Sequence, residues 1–148
     1  MVLTSAASTT NVAARSKARK RALDILFEAD QRSSSAFDVL ARLQAETQGD
    51  LNAYVSVLVN GVMEHQAEID DVISTYSQGW TIERMPAVDR CLARIGVYEL
   101  IYQSDIPEGV TLDEIVTLAA DVSTDESPAF LNGLLAKVAA MKDRLGLV

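Results

Sequence analysis

The sequence predicts an all-α protein of about seven helices, in two small three-helix-type bundles that share a core around a central helix at 86–103. Three observations predict it. Apolar residues recur at helical spacing along the chain, no segment alternates with the two-residue period of a half-buried strand, and no internal repeat interrupts the pattern. At 148 residues and 49% hydrophobic content, the chain can bury a core without disulfides or metals.

Composition divides the chain into three parts. Residues 1–13 are small and polar and are predicted to be a disordered arm. Residues 14–78 are predicted to form an N-terminal helical bundle and residues 79–148 a C-terminal one, within one compact domain overall. The first 21 residues carry a charge of +5, which leaves −13 for the remainder of a chain whose net charge is −8. Such a basic, acid-free start is also typical of an organellar transit peptide, and that alternative stays open.

Four helices are predicted in the first half, at about 14–31, 36–48, 51–65 and 66–77. Helix one is defined by an apolar stripe at spacing i, i+4, i+7, i+8, i+11, formed by Ala18, Ala22, Ile25, Leu26 and Ala29. A run of three serines ends this helix, and Gly49–Asp50 predicts a stop followed by a new N-cap. Whether the third and fourth helices are continuous or kinked stays open.

The central segment 86–103 organises the second half. Pro86 stands at a predicted first helical position, where its missing N–H removes no hydrogen bond. From Leu92 onward apolar residues spread round most of the helix, which is typical of a buried helix. Glu99 is the polar exception. Because a buried carboxylate needs hydrogen-bond partners, we expect a neighbouring helix to donate to it, with Asn132 as a candidate.

Two further helices complete the prediction. Thr111 and Glu114 have the spacing of a capping box, which places the start of helix six at Thr111. Ser127 followed by Pro128 predicts an N-cap and a first helical position for helix seven, which runs to about residue 144.

Few residues could carry chemistry. Cys91, the only cysteine, lies on the apolar stripe of the central helix, which favours a buried thiol over a nucleophile and fits a reducing, cytoplasmic location. His65, the only histidine, lacks a nucleophile partner for catalysis and a second His or Cys for a metal. We therefore expect no enzymatic activity, no metal and no cofactor. No apolar run reaches the roughly 18 residues of a membrane helix, so no membrane partner is expected.

The basic cluster of helix one is the strongest functional signal, formed by Arg15, Lys17, Arg19, Lys20 and Arg21. Positive charge at a helix N-terminus opposes the helix dipole, which favours a bound polyanion over a merely solvated helix start. Phe27 lies outside the apolar stripe of its helix, where its ring could stack on a base between phosphate contacts. The alternative, that Phe27 and Leu23 pack against another helix, stays open.

A second charge asymmetry lies later in the chain. Between Arg94 and Lys137 there is no Lys or Arg, and the interval carries eight Asp or Glu residues. One end of the chain therefore suits a polyanion, and this later surface suits a basic protein.

Three stretches, in this order, resemble the NusB family of bacterial transcription antitermination factors. RSKARKRALDILFEAD (15–30) is similar to the family's arginine-rich start and the Ala/Leu-rich helix that follows it. PAVDRCLARIGVYEL (86–100) is similar to the family's Arg-Ile-x-x-Tyr-Glu-Leu pattern, and STDESPAFLNGLLAKV (123–138) is similar to its acidic-Ser-x-x-Phe-Val-Asn-Gly-Val-Leu pattern. The resemblance spans about 15–138.

The resemblance implies an RNA-binding antitermination factor without catalysis. Such a protein binds single-stranded boxA RNA of ribosomal RNA leader transcripts together with the ribosomal protein NusE. It then joins the elongating RNA polymerase with other Nus factors. The RNA-binding residues implied are Arg15, Lys17, Arg19, Lys20, Arg21, Phe27 and Arg94. The partner-facing residues implied are Asp89, Glu126 and Phe130, with Asp125 beside them.

Two other hypotheses stay open. The same fold can serve as an RNA-binding helper of an rRNA-modifying methyltransferase, whose catalytic domain these 148 residues have no room for. Alternatively, the chain is a self-associating helical scaffold whose homodimer masks the basic helix. The sequence leaves open the RNA sequence and affinity, the choice between monomer and homodimer, any cooperativity between the partners, and the role of residues 1–13.

Overall fold

The computed structural model describes residues 2–142, with side chains described from residue 12 onward. Over these residues the fold is all-α, as predicted, with seven α-helices, no strand and one short 3₁₀ helix at Ile82–Arg84. The α-helices are α1 (Val2–Arg32), α2 (Ala36–Glu46), α3 (Ala53–Glu64), α4 (Gln66–Tyr76), α5 (Ala87–Tyr102), α6 (Glu108–Val122) and α7 (Ser127–Met141). Met1 and the predicted end of helix seven at residue 144 lie outside the described residues.

Backbone contacts group the chain into two units, Met1–Asn60 and Gly61–Val148. The first unit contains α1, α2 and most of α3. The second contains the end of α3 and all of α4 to α7. The predicted division into bundles 14–78 and 79–148 within one compact domain stays a prediction.

In the first unit, α1 is longer than the predicted helix at 14–31, because it begins at Val2. The predicted disordered arm is therefore helical from residue 2 to residue 13. This stretch contains no Gly or Pro to interrupt a helix, and alanine, the best helix former, recurs in it. The predicted apolar stripe is confirmed, since all five of its residues are buried, and Leu23 is buried with them.

Polar side chains cap the N-terminal starts of α2 and α3. The backbone N–H of Phe37 donates to the Ser35 hydroxyl at 3.2 Å, and that of Tyr54 donates to the Asn52 side-chain oxygen at 2.8 Å. These are the N-terminal N–H groups that a helix leaves without intrahelical partners. The predicted stop is confirmed by the end of α2, but the new cap is Asn52 and not Asp50.

The second unit is built around α5, which packs against α4, α6 and α7. Glu99 is fully buried, and the Thr111 hydroxyl of α6 donates to its carboxylate at 2.8 Å. The predicted donor from a neighbouring helix is confirmed, whereas Asn132 is exposed. The predicted capping box is wrong, because α6 begins at Glu108 directly after Pro107 and Thr111 lies inside it.

Two glycines allow close approach within the second unit. A Cβ added at Gly61 would overlap the ring of Tyr98, and one added at Gly96 would lie 2.7 Å from Leu135. Cys91 is buried, as predicted. Among the described residues, no helix is long and apolar enough to cross a bilayer.

Candidate nucleic-acid and partner interfaces

Two cations of the basic cluster, Lys17 and Arg21, are exposed on α1 and have no protein partner among residues 12–142. Lys17 and Arg21 are one helical turn apart, so they lie on the same face. Within residues 12–142 neither side chain is in a hydrogen bond or an ion pair. Lys20, also exposed, forms an ion pair with Asp24 at 3.0 Å. An exposed pair of this kind is worth roughly 0.2–1 kcal/mol, so Lys20 can exchange Asp24 for a phosphate at little cost.

The two remaining cations of the cluster are held by an aromatic ring. The guanidinium carbon of Arg15 lies 5.1 Å from the centroid of the Tyr54 ring, and that of Arg19 lies 5.9 Å from it. Both distances are in the range of cation–π attraction. Arg15 is half-buried and Arg19 is 1% exposed. Tyr54 on α3 therefore fixes both arginines against the first unit.

A cleft opens beside the two partner-free cations. Its volume is about 400 Å³. Residues of α1, of the α2–α3 loop (residues 47–52) and of the first turn of α3 line it: Lys17, Ala18, Arg21, Thr47, Asp50, Leu51, Asn52 and Val55. The amide nitrogen of Asn52 donates to the Ala14 carbonyl at 3.3 Å, which ties the loop to α1. The cleft is thus cationic on one wall and polar on the other.

Phe27 is half-buried, whereas Leu23, which lies beside it on the helical wheel, is 3% exposed. The packing alternative therefore holds for Leu23. The partial exposure of Phe27 leaves part of its ring available for stacking on a base.

Arg94 on α5 is engaged with a carboxylate. Its Nε and Nη2 donate to the two oxygens of Asp70 at 2.8 and 3.0 Å, the bidentate geometry that makes Arg–carboxylate pairs strong. A cleft of about 380 Å³ beside them is also lined by Asp71 and Glu83. These acids lower the positive potential around Arg94.

Asp89 is fully buried and does not face solvent. Its carboxylate accepts the Ser123 hydroxyl at 2.5 Å and the Ser127 hydroxyl at 2.9 Å. The Ser127 hydroxyl in turn accepts the backbone N–H of Thr124 at 3.2 Å. Asp89 therefore holds the α6–α7 loop (residues 123–126) against α5. It was predicted to face a protein partner, but because it is buried it could affect such a partner only through the position of this loop.

The other predicted partner residues lie at that loop and at the start of α7. Asp125 and Glu126 are exposed, and Phe130 is half-buried. The Phe130 ring meets Trp80 edge-on, with ring centroids 4.8 Å apart. Together they line a groove of about 530 Å³, with Glu126 and Lys137 among its polar residues.

Trp80 and Tyr54 are not among the site residues that the sequence predicts. Trp80 is the only tryptophan of the sequence, and a lone tryptophan in a polar segment is itself a sign of an interface, where this residue type is enriched. Its position is fixed by the Ser77 hydroxyl, which donates to the Trp80 carbonyl at 2.6 Å. Tyr54 carries no such signal, because its role depends on the packing of α3 beside α1.

His65, considered as a catalytic base, lies in an aromatic stack. Its ring is 4.1 Å from the Tyr102 ring. The Tyr102 hydroxyl donates to Glu68, and this hydrogen bond lowers the pKa of Glu68. Burial, followed by the hydrogen bond to Glu68, raises the pKa of Tyr102 to about 12. Over the residues described, no group of three or more His, Cys, Asp or Glu side chains could hold a metal ion.

The fold and the two surfaces define a class, an all-α protein with a cationic helix suited to a polyanion and an aromatic groove suited to a protein. Residues 16–140 match the model of the NusB family. The chain belongs to that family.

Relatives and solved structures agree with this assignment. The chain is 55% identical over 134 residues to the transcription antitermination protein NusB of Arthrobacter sp. (strain FB24), which covers 90% of this chain and 98% of the relative. NusB of T. maritima has a similar structure, with a TM-score of 0.79, 30% identity, and coverage of 90% of this chain and 97% of that one. A chain in the crystal structure of antitermination factors NusB and NusE in complex with dsRNA gives a TM-score of 0.76 at 27% identity, with coverage of 86% and 96%.

Proposed function

We infer that this protein is an RNA-binding transcription antitermination adaptor of the cytoplasm, without enzymatic activity. It binds single-stranded boxA RNA of ribosomal RNA leader transcripts together with NusE, and with NusE it joins the elongating RNA polymerase and other Nus factors. The observation that carries this proposal is a pair of exposed cations, Lys17 and Arg21, that have no partner among the described side chains. They lie within the basic stretch that resembles the family. A related structure of NusB and NusE in complex with dsRNA supports binding of RNA together with NusE.

The RNA is held chiefly through its phosphates. Lys17 and Arg21 contact phosphate oxygens directly, and Lys20 joins them by releasing Asp24. Arg15 and Arg19 are held against Tyr54, so they do not extend to the phosphates. They contribute to RNA binding only through the positive potential of this surface. Phosphate contacts position the strand but do not read its sequence, so base recognition falls to stacking on Phe27 and to polar groups beside the cations.

Arg94 contacts the RNA more weakly than Lys17 and Arg21. Asp70 occupies Nε and Nη2 of its guanidinium, so only the remaining N–H groups are available to RNA. Nearby acids oppose a phosphate there. Replacement of Arg94 should therefore change RNA affinity less than replacement of Lys17 or Arg21.

NusE docks on the groove of Trp80 and Phe130. Accessible aromatic rings beside a polar rim, such as the exposed Trp80 and the half-buried Phe130, are typical of the residues that dominate protein interfaces. Asp125 and Glu126 supply the negative charge that suits a basic ribosomal protein. Asp89 fixes the loop that presents them, so it acts on partner binding through that loop.

The test is a fluorescence-anisotropy titration of labelled boxA RNA, with a scrambled single strand and a duplex as comparisons, in the presence and absence of NusE. We expect boxA to bind tightest and NusE to tighten it further. Salt dependence measures the number of phosphate contacts, because log K falls with log salt at about −0.7 per contact for single strands. Three exposed cations give a slope of about −2, whereas five would give about −3.5.

A pair of double variants isolates the basic helix. Lys17→Ala/Arg21→Ala should weaken RNA binding and flatten the salt slope by about 1.4 without a loss of helical circular dichroism. Arg32→Ala/Arg84→Ala removes the same two charges from exposed positions elsewhere and serves as the matched control. Equal effects of the two double variants would refute the role assigned to α1.

A further inference from the structure

We propose that the cleft between α1 and the α2–α3 loop is a nucleotide subsite that selects guanine, with Asp50 as the residue that reads the base. The inference rests on the proposed RNA-binding function and extends it from phosphate contacts to base recognition. It assigns a role to a loop that lies outside the basic motif of α1.

The size and lining of the cleft suit one nucleotide. Its volume of about 400 Å³ lies within the range of small-ligand pockets. Lys17 and Arg21 line the α1 wall, and both are free to bind a phosphate, as shown above. A strand held by these two cations places its sugar and base toward the opposite wall, the α2–α3 loop.

The loop is fixed without the Asp50 side chain. The Thr47 hydroxyl donates to the Leu43 carbonyl at 2.9 Å, and the backbone N–H of Asp50 donates to the Thr47 carbonyl at 3.0 Å. Asn52 caps α3 and donates to Ala14 of α1. The side chains of Thr47 and Asn52 and the backbone of Asp50 therefore make the hydrogen bonds that hold the loop, and the Asp50 carboxylate makes none of them.

The Asp50 carboxylate itself is exposed and, within residues 12–142, is in no hydrogen bond or ion pair. It lines the cleft with Lys17 and Arg21 but neutralises neither of them. A negative charge beside a phosphate site lowers affinity for RNA in general. That cost is offset when the bound nucleotide turns hydrogen-bond donors toward the carboxylate.

Guanine is the base that fits this requirement. Its Watson–Crick edge presents two adjacent N–H donors, from N1 and N2, which match the two oxygens of a carboxylate. Adenine and cytosine each present one amino group next to an acceptor nitrogen, and uracil presents one N–H between two carbonyl oxygens. In those three bases an acceptor faces the carboxylate and repels it, so the cleft favours guanine.

The test uses labelled ten-nucleotide RNAs of uridine that differ only in one central base, G, A, C or U, titrated into the full chain by fluorescence anisotropy. We expect the G-containing RNA to bind about tenfold tighter than the other three, the usual effect of a bidentate base contact. Asp50→Asn should abolish this preference while leaving affinity for the all-uridine RNA the same or higher. Asp113→Asn makes the same charge change at an exposed position of α6 and should keep the preference.

The outcomes separate this inference from the proposed function. Equal binding of the four RNAs by the wild type, or a guanine preference that survives Asp50→Asn in a protein with unchanged helical circular dichroism, overturns the subsite. The adaptor function would then stand on boxA binding and on the Lys17→Ala/Arg21→Ala result. Failure of the wild type to bind any RNA, boxA with NusE included, overturns both.

Discussion

Asp89→Ala should destabilise the protein and loosen the α6–α7 loop. The substitution removes two hydrogen bonds from serine hydroxyls to a buried carboxylate, at 2.5 and 2.9 Å. Bonds to a charged group contribute about 1.5–3 kcal/mol each. The desolvation cost of the buried carboxylate is also removed, so we expect a net loss of roughly 3 kcal/mol in the free energy of unfolding. At about 2–4 °C per kcal/mol for a chain of this size, Tm should fall by roughly 6–12 °C.

Urea unfolding followed by circular dichroism measures the stability change, with Asp113→Ala as the exposed control that should stay within about 0.5 kcal/mol of the wild type. A double-mutant cycle with Ser127→Ala isolates the interaction of Asp89 with that hydroxyl. At a temperature where the variant is folded, Asp89→Ala should weaken NusE binding more than RNA binding. A stability loss no larger than that of Asp113→Ala would refute the reasoning, since a buried carboxylate with two donors cannot be neutral to truncation.

Two further predictions concern aromatic rings. Tyr54→Leu removes the ring on which Arg15 and Arg19 rest, and at about 0.5–1 kcal/mol per cation–π contact it should lower the free energy of unfolding by about 1–2 kcal/mol in urea unfolding, whereas Tyr54→Phe, which keeps a ring, should change it less. Since the pKa of Tyr102 is raised to about 12, the stability it contributes is present below its usual pKa near 10 and is lost as pH rises toward 12. Since the pKa of Glu68 is lowered from 4.5, its contribution is present above pH 4.5 and is lost as pH falls through the lowered value. Tyr102→Phe should therefore reduce the alkaline loss in pH-dependent unfolding and return the Glu68 pKa toward 4.5 by carboxyl NMR titration; an unchanged Glu68 pKa would contradict the hydrogen bond.

The helices were predictable from the sequence because burial of an apolar stripe repeats with the helical period. The stripe of α1 and the position of α5 depend only on residues three and four apart, so they can be read along the chain. Glu99 was predictable in the same way, as a polar residue in an apolar run. Its donor was not, because Thr111 also fits the capping-box pattern, and only the start of α6 at Glu108 shows that its hydroxyl serves Glu99 instead.

The candidate sites are visible in the sequence as motifs, but their contacts are not. The basic cluster is visible in the sequence, yet its cations differ in their partners. Lys20 pairs with Asp24 of its own helix, whereas Arg15 and Arg19 rest on Tyr54 of α3. Asp89 shows the same limit. Its two donors are 34 and 38 residues away along the chain, so nothing near Asp89 in the sequence distinguishes a buried carboxylate from one on a partner surface.

The number of basic residues in a motif is therefore not the number of its RNA contacts. The contribution of a cation to RNA affinity is the free energy of its contact with the phosphate minus the free energy of the protein contact that it loses. Lys17 and Arg21 give up nothing within the described residues, and Lys20 gives up one exposed ion pair. Arg94 would have to give up two hydrogen bonds to Asp70 in a half-buried site. Under the proposed function, a chain with a net charge of −8 binds RNA through a few cations, because what sets where a phosphate is stabilised is which cations lack partners among the described residues, and not the total charge.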